Sequence, residues 1–226
     1  MLRDALLIFK KDLAIERRSR ESLFTMVTFA LLSTVIFALG FYVDDDKARA
    51  YGPGILWVVV LFSGTLGLQR LFDAERENDC LAGLLLSPAD PRGLFLGKVM
   101  VQLVFSGIME ALTVPLVFLF FGLFELSTPA GIATIAAILV LGTIGFAFIG
   151  TLFAATLVST RLREVLLPIV VYPLASPIFI AGVQSTRSLL SGESPADVSH
   201  WILLMVAFDL IYAGVCAALF PVLIRD

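Results

Sequence analysis

Residues 69–92 read QRLFDAERENDCLAGLLLSPADPR and lie between two long apolar runs, in a chain whose residues are 59% hydrophobic. The acids come first, at Asp73, Glu75, Glu77 and Asp79. Leu81, Leu84 and Leu85 follow at i, i+3 and i+4, the spacing of one helix face. Ser87-Pro88 then ends the helix, because a proline ring disfavours helical backbone at the residue before it. Carboxylates this dense are too costly to hold in hydrocarbon. The segment must lie in water or against a soluble partner. The pattern predicts a short amphipathic helix over 73–88 that joins two membrane spans and offers a handle outside the bilayer.

The flanking runs set the fold class. A bilayer core takes about 20 apolar helical residues to cross. Runs of that kind stand at 23–43, 52–69, 94–124, 129–158, 164–184 and 201–224. Each is helical, since backbone in lipid must satisfy its own hydrogen bonds. The expectation is an all-α integral membrane protein with six transmembrane helices, forming one domain over 1–226. The net charge of −3 and the lack of a basic run give no footprint for nucleic acid. No nucleophile–base pair or metal-ligand cluster stands out, so no active site is expected in this chain. Cys80 and Cys216 fall in a loop and in the last span, too far apart to pair. The first 22 residues are too charged, and the run after them too long, for a cleaved signal sequence.

Lysine and arginine mark the cytoplasmic side of a membrane protein. Arg3, Lys10, Lys11, Arg17, Arg18 and Arg20 precede the first span. Arg70, Arg76, Arg92 and Lys98 accompany the 69–92 segment, Arg161 and Arg163 follow the fourth span, and Arg225 ends the chain. Only Lys47, Arg49 and Arg187 lie on the other side. Both termini and the 73–88 helix are therefore expected in the cytoplasm. Within residues 1–22, Leu2, Leu6, Phe9 and Leu13 recur on one helical stripe, with most of the cations off it. That pattern suits an amphipathic helix lying in the headgroup layer.

Four further features stand out. Pro168, Pro173 and Pro177 crowd the fifth span, and each removes a backbone donor. Two readings stay open there, a broken or re-entrant element and a kinked ordinary span. Glu110 and Asp209 lie inside predicted spans, where a charge costs about 2.5–3.5 kcal/mol on insertion scales. Either they line a polar path, or they belong to a structural network with Gln102, Ser106, Thr113 or Tyr212. His200, the single histidine of the chain, precedes the last span, where a lone interfacial histidine is more often a hydrogen-bonding residue than a ligand. Gly93/Gly97, Gly150/Ala154 and Gly214/Ala218 are spaced for close helix contact.

Glu77–Pro88, ENDCLAGLLLSP, resembles the cytoplasmic loop of ABC-2-type exporter permeases. In those an acidic start leads to a leucine triplet and then Ser/Thr-Pro; here Leu84, Leu85 and Leu86 are followed by Ser87 and Pro88. Asp79, Cys80 and Ala82 depart from the residues common at their positions. The layout of six spans, the charged N-terminal helix, the opening Gly52-Pro-Gly-Ile-Leu-Trp57 of the second span and Leu71-Phe72 resemble the CcmB family over essentially the whole chain. The resemblance implies the transmembrane subunit of an ABC complex for cytochrome c maturation in the bacterial inner membrane. It implies a separate CcmA-like ATPase that hydrolyses ATP, with CcmC-like, CcmD-like and CcmE-like partners. It makes haem b a candidate handled ligand of the complex, with His200 a candidate haem ligand and no cofactor expected to be held by this chain itself, and it implies two copies. In that setting 73–88 is a coupling helix, with Glu75, Glu77, Asp79, Leu81, Leu84, Leu85, Leu86, Ser87 and Pro88 facing the ATPase. This chain has no Walker A loop of its own. An export permease for a lipid, drug or glycan, or a non-transporting scaffold, would share much of this pattern.

Overall fold

The computed structural model describes residues 1–41, 45–77, 90–124 and 127–224. These form α1 (Leu2–Ser19), α2 (Glu21–Gly40), α3 (Asp45–Arg70), α4 (Asp73–Glu77), α5 (Pro91–Phe120), α6 (Pro129–Thr156), α7 (Arg163–Leu190) and α8 (Ser199–Leu223). Among the described residues, six stretches are long and apolar enough to cross a membrane: α2, α3 continued through α4, α5, α6, α7 and α8. The all-helical, six-span fold class expected from the sequence is therefore the observed one.

Local chemistry sets the helix starts. Pro91 and Pro129 stand at the first helical position, where a missing N–H costs nothing. Before them, the Asp90 carboxylate accepts from the Arg92 N–H at 2.9 Å, and the Thr128 hydroxyl accepts from the Gly131 N–H at 3.0 Å. The elbow between α1 and α2 rests on Arg20, whose φ of 57° is left-handed. That conformation costs a non-glycine residue about 1–2 kcal/mol. A bond from the Leu23 N–H to the Glu16 carboxylate, 2.8 Å long, offsets it by capping the first turn of α2.

The bundle is built around α6, which packs against α5, α7 and α8, while α3 packs against α2, α5 and α7. Trp57 of α3 locks the centre. Its side chain is buried, its indole N–H donates to Thr186 Oγ1 of α7 at 3.1 Å, and its ring meets Phe179 edge-on at 5.5 Å. Glycines make room for it on two neighbouring helices. A Cβ at Gly142 of α6 would fall 2.5 Å from the ring, and one at Gly182 of α7 would also overlap it.

Helix α7 runs without a break through all three prolines, which decides for a continuous span against a re-entrant element. Pro168 denies the Glu164 carbonyl its usual donor four residues on, and Gln69 Nε2 of α3 donates to that carbonyl at 3.0 Å instead. Pro177 does the same to the Pro173 carbonyl, which accepts from Ser176 Oγ at 2.8 Å. At Pro168 and Pro177 a side-chain donor thus restores what the ring removes, the condition under which proline is tolerated in a membrane helix.

Candidate functional site

The described part of the 69–92 segment is fastened to the rest of the chain by one buried cation. Lys98 sits two turns into α5, in the run Leu94–Phe105, and is 1% exposed. A buried ammonium needs counter-ions and acceptors close by. Its Nζ donates to Glu75 Oε2 of α4 at 2.7 Å and to the Leu71 carbonyl at 2.8 Å, and it pairs with Asp12 Oδ2 of α1 at 2.9 Å. The Phe72 ring covers it, with its centroid 4.8 Å away. Lys11 closes the node from the rim, pairing with Glu75 and with Asp12. Burial pulls the Lys11 ammonium down. The Glu75 and Asp12 carboxylates outweigh that and hold it above the ordinary lysine value.

Glycines bring α1 close enough for this node to form. A Cβ at Gly93 would lie 2.9 Å from the Met1 carbonyl, and one at Gly97 would lie 2.8 Å from the Ala5 carbonyl. The α1 backbone therefore rests directly on the first two turns of α5. The buried residues of α1 are Ala5, Asp12 and Glu16, while Leu2 and Leu6 are exposed. The helix turns its acids to the protein and leaves these leucines on the outer surface. The stripe expected to face a headgroup layer is thus divided, since Phe9 and Leu13 pack against the core.

Two more ties surround the node. Arg163, at the start of α7, pairs with Asp73, and Arg70 pairs with Glu21 at 3.3 Å. Between the α1–α2 elbow and the α3–α4 corner lies a cavity of about 280 Å³ lined in part by Asp12, Glu16, Arg70, Asp73 and Lys98.

The sequence-predicted residues distribute as follows. Glu75 is 1% exposed and committed to Lys98 and Lys11 of its own chain. It is not a partner-facing acid, and this corrects the expectation from the sequence. Burial beside a cation explains the change. Asp79, Leu81, Leu84, Leu85, Leu86, Ser87 and Pro88 lie outside the described residues, as does the side chain of Glu77. Lys98 was legible only as a topology-setting charge. Its signal was a single lysine inside an apolar run, directly after Gly97.

Glu110 and Asp209 are both buried. Glu110 accepts from Thr143 Oγ1 of α6, a partner the sequence did not suggest. Gln102 instead donates to Ser106 Oγ and the Gly64 carbonyl, both at 3.1 Å, and the Tyr212 hydroxyl donates to the Leu174 carbonyl at 2.7 Å. Asp209 packs against Gly145 and Ile178, and among the described residues neither of its oxygens has a hydrogen-bond partner. The two acids belong to different contacts rather than one network. His200 is exposed, with its ring 4.9 Å from that of Trp201. Of the small-residue pairs, Gly93/Gly97 receives α1 and Gly150 receives Leu68, whereas the space beside Gly214 is open.

Comparison with known proteins agrees with this architecture. The family model described as CcmB protein matches residues 3–225. "Heme exporter protein B" of Pseudomonas aeruginosa is 28% identical over 206 residues, covering 91% of this chain and 90% of that protein. The protein of the same name from Paracoccus denitrificans is 29% identical over 215 residues, 95% of each. That from Haemophilus influenzae is 30% identical over 173 residues, 76% of each.

Proposed function

Because the chain belongs to the CcmB protein family, we propose that it is the membrane subunit of a haem-export and cytochrome c maturation ABC system, and that it works by transmitting movement. ATP is hydrolysed on a separate CcmA-like subunit. The 73–88 helix is the contact with that subunit. Leu81, Leu84 and Leu85 form the ridge that enters it, Glu77 and Asp79 meet its basic residues, and Leu86-Ser87-Pro88 ends the helix. Burying a leucine is worth roughly 1.5–3 kcal/mol, so two or three make a firm contact. Two copies serve two ATPase subunits, in a multi-pass arrangement in the bacterial inner membrane. CcmC-like, CcmD-like and CcmE-like proteins receive the movement and handle haem b.

The observation that supports transmission is the Lys98 node. It ties the root of the 73–88 segment to α1 and α5 through a buried charge, with Arg163 adding α7 through Asp73. A buried, multiply paired cation is a stiff joint, because pulling it apart strands charges out of water. A push on the segment therefore reaches three other helices directly. Glu75 acts here as a positioning residue.

The test is a pull-down of the tagged protein from native membranes in mild detergent, with partners identified by mass spectrometry. Wild type should bring down an ATP-binding subunit together with haem-handling membrane proteins. Leu84→Glu with Leu85→Glu should lose the ATPase while the protein stays inserted. Retention of the ATPase by that variant would overturn the contact assignment. An ATPase recovered without haem-handling partners would point to a permease for another substrate.

A further inference from the structure

At the end of the bundle away from Lys98, a groove opens on the lipid-facing side between α3 and α7. Two cavities of about 270 and 320 Å³ share Gly54, Val58, Val183 and Gln184, so they are one continuous trough. Its walls are apolar, with Val58 and Ile180 facing outward and Trp57 as the floor. Gly54 leaves it open, since a Cβ there would meet nothing within 4 Å. Its one charged residue among those described, Arg187, lies at one end, while Gln184 lines the overlap of the two cavities. Arg187 is exposed, and among the described residues no carboxylate or other acceptor engages its guanidinium.

We propose that this trough is a binding site for one acyl chain of an anionic phospholipid, whose headgroup phosphate pairs with Arg187. Three features select that occupant. The lining on α3 runs from Ala50 to Leu61, eleven helical steps or about 16 Å. That is the depth of one leaflet, half of a hydrocarbon core about 30 Å thick. A spanning helix of a second copy would need a seat twice as long. The one cation of the lining, Arg187, stands at one end of the trough, as a phosphate stands at one end of a lipid; a guanidinium matches phosphate oxygens in forked geometry, and an anionic headgroup brings no ammonium to compete with it. The charge bias of the loops puts Arg187 on the outer side, so the lipid belongs to the outer leaflet. The site does not depend on the coupling role of residues 73–88.

The experiment is native mass spectrometry of the detergent-purified protein after incubation with phosphatidylglycerol or phosphatidylethanolamine of matched chains. Wild type should retain phosphatidylglycerol about fivefold better, the worth of one cation at a charged lipid surface. Arg187→Gln should bring the ratio to about one by the same reckoning, and Arg187→Lys should restore most of it. Gly54→Leu fills the trough without touching Arg187 and should lower retention of both lipids. Thermal unfolding of each variant would show that the fold survives. Equal retention of the two lipids by wild type would overturn the proposal, as would an unchanged preference in Arg187→Gln. It would also fall if Gly54→Leu converted a dimer to a monomer with lipid retention intact, since the trough would then be a seat for a second copy. Saturable haem binding in place of lipid would overturn it as well.

Discussion

Replacing Lys98 by methionine keeps the length of the side chain and removes its charge. Glu75, 1% exposed, and Asp12, 9% exposed, would then face each other without the cation between them. Lys11 pairs with both from the rim, but its side chain is 40% exposed, and its attraction is screened accordingly. Breaking a buried ion pair by removing one partner costs about 3–5 kcal/mol. For a chain of this size each kcal/mol is worth about 2–4 °C, so the melting temperature should fall on the order of 10 °C. The assay is thermal unfolding of the purified protein in mild detergent, followed by tryptophan fluorescence, since Trp57 is buried at the centre. Lys98→Met combined with Glu75→Met should melt closer to wild type than Lys98→Met alone, because an apolar replacement of both partners strands less charge. The same double variant should lose the joint to α4. Its ATPase partner, if still bound, should hydrolyse ATP without the response to downstream partners shown by wild type. If Lys98→Met melts within about 2 °C of wild type, less than one kcal/mol's worth, the node does not hold these helices together. If the two substitutions simply add, Lys98 and Glu75 are not coupled.

Two further outcomes rest on single hydrogen bonds. Gln69→Ala should cost about 1 kcal/mol by leaving the Glu164 carbonyl without its donor; in a Pro168→Ala background, where the helix regains its own N–H, the same change should cost nothing, as a double-mutant comparison of melting temperatures would reveal. Thr143→Val should destabilise by about 1–3 kcal/mol by stranding Glu110 among apolar side chains, and Glu110→Leu should relieve most of that loss, with unfolding in detergent again as the readout.

The 69–92 segment illustrates where sequence and structure part. Its acids and leucines predict a helix outside the bilayer, because pattern within a short window reports helix and solvent exposure. Glu75 was nevertheless assigned to a partner, since nothing within that window reveals Lys98, 23 residues on, or Asp12, 63 residues back. The proline-rich span shows the same division. Three prolines predicted missing donors, but only packing placed Gln69 beside the Glu164 carbonyl and kept α7 continuous. Glu110 was visible as an intramembrane acid, whereas Thr143, its partner on the next span, looked like one small residue among many.

Six helical membrane spans could be read from the residues alone, because hydrophobic length and backbone self-satisfaction in lipid are properties of each run. The residues also give an expectation of which segment leaves the bilayer and, through the spread of lysine and arginine, of the orientation. The tertiary structure decided which charges face inward and what they hold. Lys98, Asp12 and Glu75 meet only because glycines at 93 and 97 let α1 settle on α5. A buried ion pair is selected by the distance between helices, and that distance is a property of the packed bundle rather than of any one run.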